Sequence, residues 1–448
     1  MKILSLTIFS ALALCGAANA DVSISGKPTQ NMDCQSGVCT ATAQKAVLNV
    51  GDLQTMLASG DATVNTGSLA MDIAVEQPIK WSSISRLTLD SQQSVVVKKP
   101  VTVTGGGGIS ISNNATDDGL HFLGVGRVRF SDLNSSLIIN GQSYVLLRNI
   151  NQLAHAVHED PNGSYALADN YDASKDGIYE RTPVETTLTG SFEGLGNVLS
   201  GLTIQAGNSA ALFHSSGGII RDIRLPNANV TVQEGEAATL VLMTSGGELY
   251  DVRATGSVTS IGPDNVHNPM TGGLVSTMGQ ATLLKDSYYG GNVSGDFVVG
   301  GLAGGSSSYL AAIEDSFTDV NVVGTDPDFG AVGGLVGYLD LRSSVTNSYA
   351  KGTVSALGKN SWVGGLIGNN EFGFVTGSYS LAAVSGDVGA FVGGLIGFRL
   401  MDRAIHDSYW DIETSGTTAG VGNHHHEQYE KGIVGLTSTE TCGVSVRD

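Results

Sequence analysis

Three stretches near the end of the chain say nearly the same thing: Val332–Ala356 "VGGLVGYLDLRSSVTNSYAKGTVSA", Val363–Gly386 "VGGLIGNNEFGFVTGSYSLAAVSG" and Val392–Gly416 "VGGLIGFRLMDRAIHDSYWDIETSG". A catalytic site is usually written once, whereas a sentence repeated at a fixed period is architecture. The repeat reaches further back. A leucine recurs at Leu212, Leu240, Leu274, Leu302, Leu335, Leu366 and Leu395, at intervals of 28, 34, 28, 33, 31 and 29 residues. In the last five units it follows a glycine pair. A serine with an aromatic after it comes 13, 14, 13, 12 and 13 residues later, at Ser287, Ser316, Ser348, Ser378 and Ser408. A valine stands six residues beyond the first four of those serines, at Val293, Val322, Val354 and Val384.

The spacing inside a unit is steadier than the period, so rigid parts are joined by loops of variable length. A turn of a parallel β-helix, two or three short strands joined by bends, meets this description. Coils then stack about 4.8 Å apart, leucine over leucine and aromatic over aromatic. Glycine serves where φ is positive or where backbones approach closely. No unit buries its apolar face alone, so the array stands only as a stack. Which strand face points inward stays open at this level. A leucine-rich repeat wants more leucines per unit, and a propeller blade wants about 40 residues or more.

Composition agrees. Of 448 residues, 61 are glycine, 41% are hydrophobic and only 15% are charged, a balance that favours strands and turns over helices. The net charge of −19 argues against nucleic acid, since phosphate needs Lys and Arg. The opening "MKILSLTIFSALALCGAANA" reads as a signal peptide, residues 1–20, cleaved after Ala20 for Sec-dependent export. Leu14 stands where lipid modification of Cys15 wants a small residue. Residues 21–46 are a polar lead-in, in which Cys34 and Cys39 are expected to form a local disulfide in an oxidising compartment. Cys442 has no obvious partner. Residues 47–148 are short strand-like runs. Residues 149–191 form a junction with one short helix near 149–160, where Ile150, Leu153, Ala154 and Val157 follow helical spacing. The repeats fill 192–416, and 417–448 is an irregular tail.

On these residues the three units resemble the GLUG motif, found in arrays on large bacterial surface proteins. "LTLDSQQSVVVKKPVTVTG", "DLNSSLIINGQSYVLLRNINQLAHAV" and "FEGLGNVLSGLTI" resemble the filamentous-haemagglutinin-type exoproteins. The combined resemblance implies an all-β, right-handed parallel β-helix from a Gram-negative bacterium, exported to the surface or medium and adhesin-like. It departs from two-partner secretion proteins in lacking an Asn-Pro-Asn motif near the mature N-terminus.

Catalytic constellations are incomplete. GLUG arrays also occur in immunoglobulin-A-cleaving metallopeptidases, whose chemistry needs His-Glu-x-x-His. His158-Glu159 and His426-Glu427 both lack the second histidine. Polysaccharide lyases and glycosidases on β-helices need paired carboxylates. Asp286, Asp315 and Asp407 recur at one repeat position, as turn residues would. The acids Asp172 and Asp176 suggest a calcium loop or an acidic surface turn, and His424–His426 suggest incidental metal affinity. The expectation is therefore a non-enzymatic attachment protein without cofactor, with a carbohydrate-active enzyme as the alternative. Its partners would be a host cell surface, a matrix protein or a glycan, with an outer-membrane transporter for export. Candidate contact residues in or beside the variable loops are Tyr309, Phe329, Trp362, Phe372 and Trp410, which could equally stack on their own coils.

Overall fold

The computed structural model describes residues 21–115, 119–262, 269–306, 309–340, 342–400, 405–423 and 432–441. Residues 1–20, read above as a signal peptide, His424–His426 and Cys442 lie outside the described residues. The chain divides into two compact units, Met1–Arg127 with Asn134–Gln142, and Val128–Leu133 with Ser143–Asp448. Each is a parallel β-solenoid.

In the first unit, strands Arg86–Asp90, Gly108–Ser112 and Ser136–Ile139 pair in parallel, with Ile109 opposite both Leu87 and Leu137. Those three side chains are buried while Thr88 and Ser110 between them are less so, the period-two alternation of a strand with one face on a core. Val22–Ser25 already belongs to this unit, held between Ala46–Asn49 and Ile73–Val75. The hairpin Met32–Gln35 and Val38–Ala41 is antiparallel, and the directly opposed Cys34 and Cys39 are disulfide-bonded.

Reading 47–148 as strands alone misses a ten-residue helix, Val50–Ser59. Asn49 caps it, accepting hydrogen bonds from the amides of Gly51 and Asp52. Leu53 and Leu57, one turn apart, are its buried residues, and Gly60 ends it. The expected helix is present as Ile150–Glu159, burying Ile150, Leu153 and Val157.

In the second unit a single GLUG coil contains four strands, one more than the spacing suggested. Ala331–Gly333, Val336–Leu339, Ser344–Thr346 and Tyr349–Ala356 each pair in parallel with their counterparts in neighbouring coils. The glycine pair makes the difference, because it turns the backbone between two short strands. The inward face is now defined. All seven column leucines, Leu212 to Leu395, are fully buried, as are Val293, Val322 and Val354. Each leucine amide from Leu274 to Leu366 donates to the carbonyl of the leucine in the next coil at 2.8–2.9 Å. Burying a leucine contributes about 1.5–3 kcal/mol relative to leaving it in water, so the column is a principal source of cohesion.

The repeat glycines serve close approach and not left-handed backbone: Gly333 and Gly364 are absent from the positive-φ residues. A Cβ on Gly333 would lie 2.0 Å from the Val336 carbonyl oxygen and 2.6 Å from the Gly368 nitrogen. Both obstacles are backbone, so nothing flexible can yield. Gly333→Ala is expected to destabilise the unit by about 1–3 kcal/mol or more. A lowered urea midpoint with native-like circular dichroism in buffer would show this, and an unchanged midpoint would contradict it.

Candidate functional site

The Asp/Asn-Ser-aromatic triplet of each unit resolves into three jobs. The first residue takes a left-handed turn, with φ of 51° at Asp286, 48° at Asp315, 50° at Asn347, 59° at Gly377 and 48° at Asp407. Asp, Asn and Gly are the residues that tolerate this conformation. The turn reading of the recurring aspartates therefore has a geometric basis.

The serine turns inward. Ser287, Ser316, Ser348, Ser378 and Ser408 are all buried. Each hydroxyl donates to the carbonyl two residues before it, at 2.8–3.0 Å. Each hydroxyl also accepts an amide from the preceding coil. Val252 donates to Ser287 at 3.2 Å, Ser287 to Ser316 at 3.0 Å, and Ser316 to Ser348 at 3.1 Å. Ser348 donates to Ser378 at 3.2 Å, and Ser378 to Ser408 at 3.4 Å. The third residue points outward and stacks. Tyr288 and Phe317 are 4.8 Å apart, Phe317 and Tyr349 4.9 Å at 10°, and Tyr349 and Tyr379 4.9 Å at 5°.

A second aromatic run lies where the variable loops enter the Val-Gly-Gly strands. Phe329 sits 5.0 Å from Phe297 and edge-on to Trp362 at 4.5 Å. Trp362 stacks on Phe398 at 4.5 Å, and Phe398 meets Phe391 at 6.2 Å. All five rings are half-buried. Of the sequence-selected residues, this run brings Phe329 and Trp362 together. Phe297, Phe391 and Phe398 were missed, although Phe391 occupies the same repeat position as Trp362. Among the described residues no ring contact joins Tyr309 or Phe372 to the run. Tyr309 is 54% exposed beside Leu310, and Phe372 is half-buried.

Trp410 requires correction as a contact residue. It is only 5% exposed, with Nε1 donating to the Thr417 carbonyl at 3.1 Å. Tyr409, paired with Tyr379, fills the outward aromatic column, so strand alternation turns the next residue inward. The Asp-Ser-Tyr-Trp string carries that information once Tyr409 is aligned with the column.

The acids near the junction are engaged locally. Asp176 accepts the hydroxyls of both Tyr171 and Tyr179, and Asp172 caps the Ser174 amide beside Lys175. This is an acidic turn. Among the described residues no group of three or more His, Cys, Asp or Glu is placed to hold a metal.

With the geometry in place, the class is a β-solenoid repeat protein carrying the GLUG motif, whose family description, "The GLUG motif", matches residues 330–355. An immunoglobulin A1 protease of Streptococcus pneumoniae strain R6 is 26% identical over 257 residues, covering 54% of this chain and 13% of that protein. Halomucin of Haloquadratum walsbyi is 36% identical over 152 residues, covering 33% of this chain and 1% of that protein. A Bacteroides ovatus crystal structure, provisionally assigned as an immunoglobulin A1 protease, aligns with a TM-score of 0.40 at 16% identity, over 68% of this chain and 86% of that one. The chain spans 13% or less of the length of the curated relatives it matches.

These comparisons overturn the expectation of a non-enzyme. Two relatives matching over half of the chain are named immunoglobulin A1 proteases. The expectation rested on an incomplete His-Glu-x-x-His, and the absence of one motif from a repeat array excludes no chemistry of proteins that carry the array.

The stacked turn aspartates have an electrostatic consequence. Burial pushes the Asp286 carboxyl up, Asp315 and Asp251 add to the rise, and Tyr250 and Lys285 oppose it. A carboxyl raised in the folded state lends stability that is fully present at acid pH and lost as pH rises through its folded pKa. Asp286→Asn keeps the turn, as Asn347 does in its own coil. It is expected to raise the unfolding temperature at pH 7, with the gain vanishing below about pH 4. A gain independent of pH, or none, would contradict this origin.

Proposed function

We propose that this chain is the substrate-holding solenoid of an exported protein of the immunoglobulin A1 protease kind, and that its stacked coils attach to a glycoprotein, matrix protein or cell surface. The observation that carries the reading is the half-buried aromatic run Phe297–Phe329–Trp362–Phe398–Phe391. It sits on a rigid repeat scaffold, at loops that differ in length from coil to coil, where partner contacts concentrate. Similar loops in series give several weak contacts at once, which raises avidity by roughly 10²–10⁴ when the geometry admits them together. The relatives' names supply the proteolytic setting. The acidic charge makes nucleic acid an unsuitable partner. Sec-dependent export, passage through an outer-membrane transporter and the haemagglutinin-like character of the N-terminal part belong to the same proposal.

The test removes Val363–Gly386 so that the flanking coils stay in phase. Attachment to host cells or matrix, and binding of immunoglobulin A1, are then measured on the same preparations. Attachment should fall in steps as further units are removed, and the Kd for immunoglobulin A1 should rise by about tenfold or more as contacts in series are lost. Attachment unaffected by unit number would refute the holding role. A full chain that does not bind immunoglobulin A1 would refute the proteolytic setting.

A further inference from the structure

Two acids stand side by side on the outer face of adjacent coils. Strand Val336–Leu339 pairs with Ile367–Asn370 in the register Tyr338 to Asn369 and Leu339 to Asn370. Asp340 and Glu371 each follow one residue later, and the Glu371 amide donates to the Leu339 carbonyl at 3.1 Å, so the two residues stand at neighbouring positions with their backbones one strand spacing, about 4.8 Å, apart. Side by side, like charges repel.

Two further polar side chains meet them. The Tyr338 hydroxyl donates to Asp340 Oδ2 at 3.1 Å. Burial first, then Asp340 and Glu371, push the Tyr338 phenol up. Asn369 donates from Nδ2 to Glu371 Oε1 at 3.3 Å. Its side chain is only 1% exposed, and its Oδ1 is buried without a hydrogen-bond partner. An orphaned buried acceptor of this kind costs about 1–3 kcal/mol unless something completes it.

The arrangement is also written once. At the Tyr338 position the preceding coil has Gly305, and at the Asn369 position the following coil has Phe398, which stacks on Trp362. A feature that does not follow the repeat is not explained by the repeat.

Two carboxylates, a buried amide oxygen and a phenol oxygen are the donor set of a hard cation, which takes oxygen ligands and completes its shell with water. We propose that Asp340, Glu371, Asn369 and Tyr338 form a calcium-class divalent-cation site that clips two coils of the array together. The cation offsets the carboxylate repulsion and gives the Asn369 oxygen its partner. Two acids and an open side place the affinity in the range of extracellular modules, with Kd about 10⁻⁴–10⁻³ M.

The test uses the full chain, chelator-treated and then titrated with calcium by calorimetry, and with terbium followed by luminescence under aromatic excitation. Saturable terbium emission displaced by calcium is expected, together with a higher unfolding temperature in millimolar calcium. Glu371→Gln and Asp340→Asn should each weaken binding about tenfold or more, with an unfolding temperature in chelator at or above the parent's, because one of the two repelling charges is gone. Should either variant fold poorly, Asn369→Asp supplies an independent measurement, since the added charge should tighten calcium binding. No saturable binding up to roughly 10 mM calcium would overturn the site, given the affinity range of such modules. Binding that Glu371→Gln and Asn369→Asp leave unchanged would overturn it equally.

Discussion

Each serine of the array accepts an amide from the coil before it. That bond, made five times between Val252 and Ser408, lies in the interior, where no water competes for it. The hydroxyl is committed twice, because it also donates to its own strand's carbonyl. A buried amide left without it would cost about 1–3 kcal/mol. The serine therefore fixes which residue of one coil stands over which residue of the next. Once that register is set, Leu335 falls on Leu366 and Tyr349 on Tyr379, and the glycine pairs fall where backbones must nearly touch.

From that register follows the division between what is fixed and what varies. Inside, leucine, valine and glycine admit almost no change of size. Outside, loop length can drift from coil to coil, because the ladder constrains only where each strand starts. The aromatic run from Phe297 to Phe391 and the carboxylate pair Asp340 and Glu371 both lie at this outer boundary. A scaffold of this kind offers differing local chemistry along regularly spaced coils.

Much of the fold was legible because the period-2 and period-30 patterns coincide: a leucine, a serine and a valine at constant offsets can only be columns. The helix Ile150–Glu159 was legible from its spacing. Val50–Ser59 was not, because only Leu53 and Leu57 form its buried stripe and a capping asparagine before it looks like any turn. The fourth strand of each coil was hidden because Val-Gly-Gly is too short and too glycine-rich to read as a strand. Trp410 was misplaced because its loop position was weighed without the alternation that Tyr409 imposes. Phe297, Phe391 and Phe398 were missed because their meeting depends on contacts between different strands of different coils. The buried orphan oxygen of Asn369 has no sequence signature at all, since an asparagine after a strand reads as a turn.

The central claim is that the serine bonds couple coil to coil. Ser348→Ala tests it by removing the acceptor of the Ser316 amide while changing little else. Hydrogen exchange measured along the whole array is the direct readout. The coupling predicts faster exchange in the neighbouring strands Phe317–Gly324 and Tyr379–Gly386 as well as in Tyr349–Ala356. Loss of protection confined to Tyr349–Ala356, with both neighbours unchanged, would contradict it.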